Sequence, residues 1–479
     1  MPKDSKSFLS TLIFCAFLIF LLIIKFGFHE LWKDEWQAWL IATDTSWKEL
    51  IELFPQEGHP SLWFLLLRGV NFIHELLMPG VADVHVLQGL HFLLTAGVYF
   101  LLFKKIELPL WMKTGFGFSY FLFFEYGVIN RSYILLPLLI FWIIYLLERN
   151  KRNYWAISVL LFLLCQVEIY GMIASASLFL FIWLNEFEKK FFELNKEKLI
   201  TGSALAAGTI LFYLTVAPRE TDSTATFEQA SSLSAESFLK SIQALSINTF
   251  YPGIFPTAIS DFNFLLMLFG MGLLTAFYFI FKANNNVLIA YAFFVITIWM
   301  FSSIIYLGGL RQWGIHLIVF ISFLSLIYYK FKKFPIWQKG LILSMIIFLC
   351  IHNFRIVGRE IKEPFSNSKS AGLFIKDNFT NIPVVGINKP YMTPAIGYAE
   401  KRFYSLPYGD AYSYFKWKEK QYIPNMKDLE KFKNSINAEK ILIVFNKPLP
   451  NQIFVKLQPV AAFNKPSIRE EDFYLYVLN

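Results

Sequence analysis

The sequence predicts an α-helical polytopic membrane protein with a small soluble α/β domain at its C-terminal end. Composition says so first: 56% of the 479 residues are hydrophobic and only 16% charged, and a mean hydropathy of +0.47 exceeds what a water-facing fold carries without aggregating. Second, about eleven apolar runs approach the roughly 20 residues that a helix needs to cross a hydrocarbon core. Third, those runs stop near Arg355, beyond which strand-like and helix-like patterns alternate. Aromatic residues form 19% of the chain, including 54 Phe and 13 Trp, which suits buried helix faces and interfacial belts. The formal charge of +9 does not mark a nucleic-acid surface, because Lys and Arg gather in short clusters between apolar runs. Cys15, Cys165 and Cys350 each lie in or beside an apolar run, which argues against a disulfide framework or a thiolate metal site.

In chain order, the short basic stretch Met1 to Ser7 leads into Phe8 to Phe26, a first span without a small-residue cleavage site and therefore read as retained. Later runs begin near Val84, Leu110, Tyr133, Tyr154, Ile169, Leu199, Phe264, Val287, Ile315 and Leu341. Lys104/Lys105, Arg149/Lys151/Arg152, Lys189/Lys190 with Lys196/Lys198, and Lys330/Lys332/Lys333 fall in alternate connections, which the positive-inside rule makes cytoplasmic. The acidic connection from Phe28 to Asp83 then faces outward. Within it, Trp47 to Phe54 and Ser61 to Met78 show apolar residues at helical spacing interrupted by polar ones, the pattern of helices lying in the interface. Counting Ser61 to Met78 as a span would put every later basic cluster outside. A second outer connection, Pro218 to Asn263, is rich in Ser, Thr and Ala, with a lid or a short helix expected around Ala235 to Leu245. The expected division is a membrane domain over 1–354, containing the first outer loop 28–83, and an extracytoplasmic α/β domain over 355–479. That domain should hold strands at Pro383 to Ile387, Lys440 to Phe445 and Phe473 to Val477, and a helix at Met426 to Ile436.

The residues able to do chemistry sit in the outward connections. Leu31-Trp32-Lys33-Asp34-Glu35-Trp36-Gln37 puts two adjacent carboxylates just after the first span. A carboxylate held at the membrane surface suits a general base toward a hydroxyl, and solvated acidic caps beside a span give the same pattern. Next comes Glu57-Gly58-His59-Pro60-Ser61, in which His59 is either a ligand-contacting imidazole oriented by Glu57 or the polar start of a helix. Phe124-Glu125-Tyr126-Gly127-Val128-Ile129-Asn130-Arg131-Ser132-Tyr133 places Arg131 between two spans on the same side. Its guanidinium fork suits a phosphate, with hydroxyls from Tyr126 and Tyr133 nearby, while snorkelling to lipid head groups explains the arginine equally well. Leu307-Gly308-Gly309-Leu310-Arg311-Gln312-Trp313-Gly314 supplies Arg311 beside glycines that admit close backbone approach. Glu168 and Tyr170 lie between adjoining spans, where an ionisable group is expensive unless functional or in contact with water.

The Asp34-Glu35 pair followed by the His59-Pro60 segment resembles the GT-C superfamily of polyprenyl-phosphate-sugar-dependent glycosyltransferases, in particular protein O-mannosyltransferases and the lipid A aminoarabinose transferase. The stretch from Glu125 to Tyr133 is similar to the E-Y-x-x-x-x-R-x-Y segment of many bacterial members, and the Arg311 connection matches a G-x-x-R-x-x-G segment more faintly. The resemblance implies a GT-C-like membrane body of about eleven transmembrane helices, in a bacterial inner or plasma membrane, with its active site on the extracytoplasmic side. The donor it implies is a polyprenyl-phosphate-linked sugar, transferred with inversion to a hydroxyl of a lipid, glycan or protein acceptor. It assigns Asp34 as catalytic base, Glu35 as its acidic neighbour, and His59 as a contact to donor phosphate or acceptor. Arg131 would hold the phosphate, helped by Arg311 and His59.

No Walker loop, HExxH, CxxC pair or dinucleotide-binding glycine fingerprint accompanies these residues, so a soluble nucleotide-sugar donor is not supported. No cofactor is implied. A divalent cation stays open, because some GT-C enzymes use one, whereas the mannosyltransferase-like branch generally does not and the first loop has no DxD triplet. The alternative from a different class is a transporter or flippase of a lipid-linked saccharide, against which stands the lack of paired interrupted helices in two related halves. A non-catalytic scaffold is a third reading, against which stand Asp34, Glu35, His59 and Arg131. The aromatic stretches Tyr391 to Tyr398 and Phe403 to Tyr414 are read as packing onto the membrane body, with saccharide contact as the alternative.

Overall fold

A computed structural model describes residues 3–149, 152–186, 196–217, 235–252, 264–419, 422–449, 456–466 and 471–479. Helix α1 (Lys3–Gly27) is followed within the first connection by α2 (Lys33–Asp44), which was not expected, and by α3 (Trp47–Glu57) and α4 (Leu62–Leu77) at the two stretches expected to be helical. Helix α5 (Asp83–Phe100) returns beside α1 and ends in a π-helical turn, Leu101–Lys105. Then come α6 (Leu110–Gly117), a π-helical stretch Phe121–Val128, α7 (Leu135–Leu147), α8 (Tyr154–Cys165), α9 (Ile169–Glu186) and α10 (Lys196–Val216). The body continues with α11 (Ala235–Gln243), α12 (Phe264–Phe281), α13 (Asn285–Ile304), α14 (Leu310–Phe331) and α15 (Ile336–Lys362).

Among the described residues seven helices are long and apolar enough to cross a membrane: α1, α5 with its π-helical turn, α10 and α12 to α15. The apolar windows of α1 and α10 are only 17% buried against the protein, and large side chains such as Phe8, Ile210, Leu214, Phe264 and Leu265 face outward. Surfaces of that kind require lipid as their solvent, so the chain is a polytopic membrane protein. Every expected apolar run contains a helix near its expected start. Four of the runs are short, however: the one from Leu110 breaks after Gly117, and Ser132–Leu147, Tyr154–Cys165 and Ile169–Asn185 fall below the length of a full span. Two of the interruptions, at Ile129–Arg131 and Gln166–Glu168, lie where the helices converge on the α2 end of the body. Irregular backbone within a helical membrane body must be satisfied by protein groups. Lys25 supplies this at the first interruption, its Nζ donating to the carbonyls of Val128 at 2.7 Å and Gly127 at 3.3 Å, and Gln166 donates to the carbonyl of Gly208 at 2.8 Å.

The expected helix near Ala235 is present as α11, whereas the rest of that connection at 218–234 and 253–263 lies outside the described residues, as do Lys151, Lys189 and Lys190. Helix α15 continues past Arg355 to Lys362, and its last turns are held by the contact of Glu360 with His29, 2.8 Å away. Beyond it lie helices α16 (Ser368–Asn378), α17 (Lys389–Ala399) and α18 (Met426–Ser435) and a sheet of β1 (Val384–Gly386), β2 (Phe403–Ser405), β3 (Asp410–Tyr412), β4 (Ile441–Phe445), β5 (Gln458–Phe463) and β6 (Phe473–Leu478). The strand order is β3-β2-β1-β4-β6-β5, parallel at β2-β1-β4 and antiparallel elsewhere. Strand β4 reads Ile-Leu-Ile-Val-Phe and is buried throughout, as a central strand covered on both faces requires.

This domain is fastened to α2. Tyr398 accepts a hydrogen bond from the Leu31 N–H at 2.8 Å and packs edge-on against Trp36 with ring centroids 5.2 Å apart. Ser368 donates to the Leu31 carbonyl at 2.9 Å, and Glu471 accepts from the Lys33 N–H at 3.1 Å. The aromatic stretch from Tyr391 to Tyr398 therefore packs onto the membrane body at its Tyr398 end.

Candidate functional site

Helix α2 begins with its own capping carboxylate: Glu35 accepts from the Trp32 N–H at 3.0 Å, satisfying a donor that a helix start leaves open. The same side chain accepts from the Asn130 N–H at 2.5 Å and from Asn130 Nδ2 at 2.7 Å, and meets His29 Nε2 at 3.2 Å. His29 in turn places Nδ1 2.8 Å from Glu360 on α15. Glu35 is 0% exposed. Expected as the acidic neighbour of the base, Glu35 is a joint that fixes the α2 start, the extended Asn130–Arg131 segment and, through His29, the end of α15 together. Burial alone would neutralise this pair. The carboxylates of Glu35 and Glu360 outweigh burial at His29 and raise it to about 9, while His29, Asn130 and Trp32 overcome burial at Glu35 and hold it below the usual carboxylate range.

Asp34, one residue earlier, points the other way and keeps 27% of its side chain exposed. Its Oδ2 receives both the Arg131 guanidinium and, at 3.2 Å, Arg311 Nη1. Burial opposes ionisation here too, but Arg131, Arg311 and Lys33 together hold Asp34 below its ordinary value. Arg131 Nη2 lies 3.2 Å from His59 Nε2, and His59 Nδ1 lies 3.0 Å from Glu168, which also accepts from Ser132 Oγ at 2.8 Å. A guanidinium has donors only, so Nε2 of His59 accepts and its ring proton sits on Nδ1, facing Glu168. The order Asp34, Arg131, His59, Glu168 is thus one chain of charge-assisted contacts.

Local sequence explains how His59 gets there. Ser46 caps α3 by accepting from the Glu49 N–H at 3.2 Å, and Gly58 ends it in a left-handed conformation, φ 67°, returning its N–H to the Phe54 carbonyl. His59 therefore leaves the helix sideways before Pro60. Glu57 does not orient it as expected; Glu168 does. Glu57 instead accepts from Gln37 Nε2 at 3.2 Å, with the Trp417 side chain beside it. Burial, joined by the nearby charge of Asp34, raises Glu57 to about 7 against the opposing pull of Gln37 and His59.

Arg311 opens α14, where Gln312 Oε1 accepts from the Gly309 N–H at 2.8 Å and Gly308 takes a positive φ of 81°. Its Nε lies 3.7 Å from Glu125, and its guanidinium stands over the Trp32 ring, 5.2 Å from the centroid. Tyr126 donates to the Arg311 carbonyl at 2.7 Å, and Tyr133 accepts from Gln312 at 3.0 Å while stacking on Tyr126 at 6.1 Å. The expectation of two hydroxyls offered to a ligand is corrected for Tyr126, which is fully buried with its proton committed to backbone. The two rings are a wall that sets the height of Arg311. Trp32 and Arg311 also line a cavity of about 330 Å³ with Glu125, Phe124, Ile356, Arg359 and Phe365, and the Trp32 indole Nε1–H has no hydrogen-bond partner among the described residues.

The structure thus gathers Asp34, Glu57, His59, Arg131 and Arg311, with Tyr126 and Tyr133 behind them, and adds four residues not singled out from the sequence. His29, Asn130, Gln37 and Glu360 are such additions. Asn130 sits in the same segment as Arg131 and His29 closes the first span, so both carried a local signal. Glu360 acts on His29 from the last helix of the membrane body and Gln37 holds Phe415 of the C-terminal domain as well as Glu57, so neither carried one. Among the described residues no group of three or more His, Cys, Asp or Glu side chains is gathered as metal ligands would be. Neither a comparison with protein-family models nor one with curated proteins gives a match.

Proposed function

We propose that this protein is a membrane glycosyltransferase of GT-C type, in which seven long and four shorter apolar segments form the membrane body and the α2 end faces the extracytoplasmic side. The sugar donor is a polyprenyl phosphate-linked sugar. The observation that carries the reading is the convergence of Arg131 and Arg311 on one oxygen of Asp34, beside His59. Two guanidiniums on one carboxylate oxygen form an anion site held, in the resting protein, by an anion of its own. A carboxylate so neutralised is a weak base.

A phosphate seated between the two arginines competes for them, and Asp34 regains basicity as their charge is drawn away. The cavity beside Trp32 and Arg311 gives that phosphate apolar walls for the first part of its lipid tail. Asp34 then accepts the proton of an acceptor hydroxyl while the hydroxyl oxygen bonds to the anomeric carbon. The bond from that carbon to the phosphate oxygen breaks, polyprenyl phosphate leaves with the electron pair, and the anomeric configuration inverts. The phosphate is already a competent leaving group stabilised by Arg131 and Arg311, so no strong general acid is needed.

Incubation of the purified protein with a panel of radiolabelled polyprenyl-phosphate sugars tests the reaction. Asp34→Asn keeps the shape of the site and removes the base, so transfer should fall by about 10³-fold or more in protein that inserts and elutes normally. Undiminished transfer overturns the assignment.

A further inference from the structure

We infer that the C-terminal domain completes the acceptor side of the site: the exposed indole of Trp417, with Glu57 and Gln37 beside it, receives a sugar ring of a saccharide acceptor. This deepens the transferase reading and rests on it.

The argument starts from how the segment after β3 is held. It leaves the sheet at Tyr412 and crosses α2 and α3 instead of turning back at once. Tyr414 donates to Glu49 at 2.6 Å and Lys416 meets the same carboxylate at 2.9 Å. Between them the Phe415 backbone is gripped from both sides by one amide: Gln37 Nε2 donates to its carbonyl at 2.8 Å, and its N–H donates to Gln37 Oε1 at 3.3 Å. Gln37 lies one helical turn after Asp34 and also bonds Glu57. A soluble domain is thereby fixed to the helix that carries the proposed base, at the carboxylate that feels both Asp34 and His59.

What this anchoring presents is a supported aromatic ring. Phe415 is buried, and Trp417 packs edge-on against it with centroids 4.7 Å apart. Trp417 itself is 49% exposed, and its side chain lies beside Glu57. A sugar ring offers an apolar C–H face bordered by hydroxyls that both donate and accept. Its natural complement is an aromatic face beside a carboxylate, which Trp417 and Glu57 supply, while the Gln37 amide, committed to Phe415 and Glu57, holds them in place. A lipid chain would instead need a continuous apolar wall, and the flanking Lys416, Lys418 and Glu419 do not provide one. The competing role for Trp417 is an interfacial anchor in lipid head groups.

Full-length protein in phosphatidylcholine nanodiscs, examined by saturation-transfer NMR with maltotriose, chitotriose and β-1,4-galactotriose, tests this. At least one trisaccharide should bind, and Trp417→Ala should weaken it about tenfold or more, with Trp417→Phe retaining part of the affinity. Gln37→Ala, which frees the segment without touching the ring, should weaken binding less. Absence of binding to all three sugars, or equal binding by W417A, overturns the inference. So does quenching by brominated lipid that disappears in W417A, which would make Trp417 an anchor. Transfer is measured separately: intact transfer with Trp417-independent sugar binding removes only the subsite, whereas Trp417-dependent binding without transfer by the wild type removes only the enzymatic reading.

Discussion

Buried carboxylates stand at both ends of the helical body, and their partners differ. At the α2 end Asp34 meets Arg131, Arg311 and Lys33, and Glu35 meets His29. At the other end Glu148, which closes α7, accepts from Ser325 Oγ and from the Glu107 N–H at 3.1 Å. The cations near Glu148 are engaged elsewhere: Lys113 donates to the Phe103 carbonyl at 3.1 Å, and Lys332 pairs with Glu107 at 3.0 Å. Burial therefore pushes Glu148 up to about 7 despite its two hydrogen bonds, whereas the guanidiniums keep Asp34 ionised against the same burial. Burial alone builds a near-neutral structural joint. Burial with surplus positive charge builds a place where a second anion can compete.

The sharpest test of that difference is Glu35→Ala. It removes the α2 cap, the partner of Asn130 and one of the two counter-charges of His29 together, leaving the buried imidazolium to Glu360 alone. The expected loss is about 3–5 kcal/mol of stability, read as a fall in thermal unfolding temperature in nanodiscs, with transfer lost at temperatures the wild type tolerates. A loss below about 1 kcal/mol would mean that Glu35 is not the joint described here. Arg131→Lys comes next in size. It keeps the charge and loses the fork that reaches Asp34 and His59 at once, so KM for a lipid-linked donor should rise about tenfold to a hundredfold with a smaller change in kcat. An unchanged KM would separate Arg131 from donor binding.

His29 gives the same comparison a pH signature. Its folded-state pKa is raised from 6.5 to about 9, so its contribution is fully present below about 6.5 and disappears as pH rises through about 9. Unfolding temperature should therefore decline between those limits in the wild type, and the decline should be shallower in His29→Asn. Parallel curves for the two proteins would show that the His29–Glu35–Glu360 contact does not carry the expected charge.

How much of this was legible in the sequence depended on the range of the interactions. The apolar runs and β4 carry their pattern within a few turns or residues, and they appear where periodicity puts them. Strands β2 and β3, three residues each, are too short to show alternation and were missed. Asp34, His59 and Arg131 were legible because each sits in a short polar interruption of apolar sequence. The division of labour between Asp34 and Glu35 was not, because it depends on which carboxylate faces Asn130 and His29 and which faces the arginines. The same limit explains the assignment of Glu57 rather than Glu168 to His59: Glu57 is two residues away in sequence, but Glu168 is the one within 3.0 Å.

The smallest expected effect belongs to Glu148→Gln, and it probes the neutral end of the comparison. A carboxyl whose folded pKa lies above its ordinary 4.5 contributes stability that is present below 4.5 and is lost as pH rises to about 7. Glutamine keeps the acceptor oxygen for Ser325 or the Glu107 N–H and cannot ionise, so that loss should vanish from one group. Glu30, Glu57 and Glu471 are raised by burial to about 7 as well, so the wild-type decline between those limits should become shallower in the variant without disappearing. The change at pH 5 should stay within about 1 kcal/mol, and transfer should be unaffected because Glu148 touches neither Asp34 nor the arginines. A marked fall in transfer would break the distinction, since the two ends would then be coupled through the helices that join them.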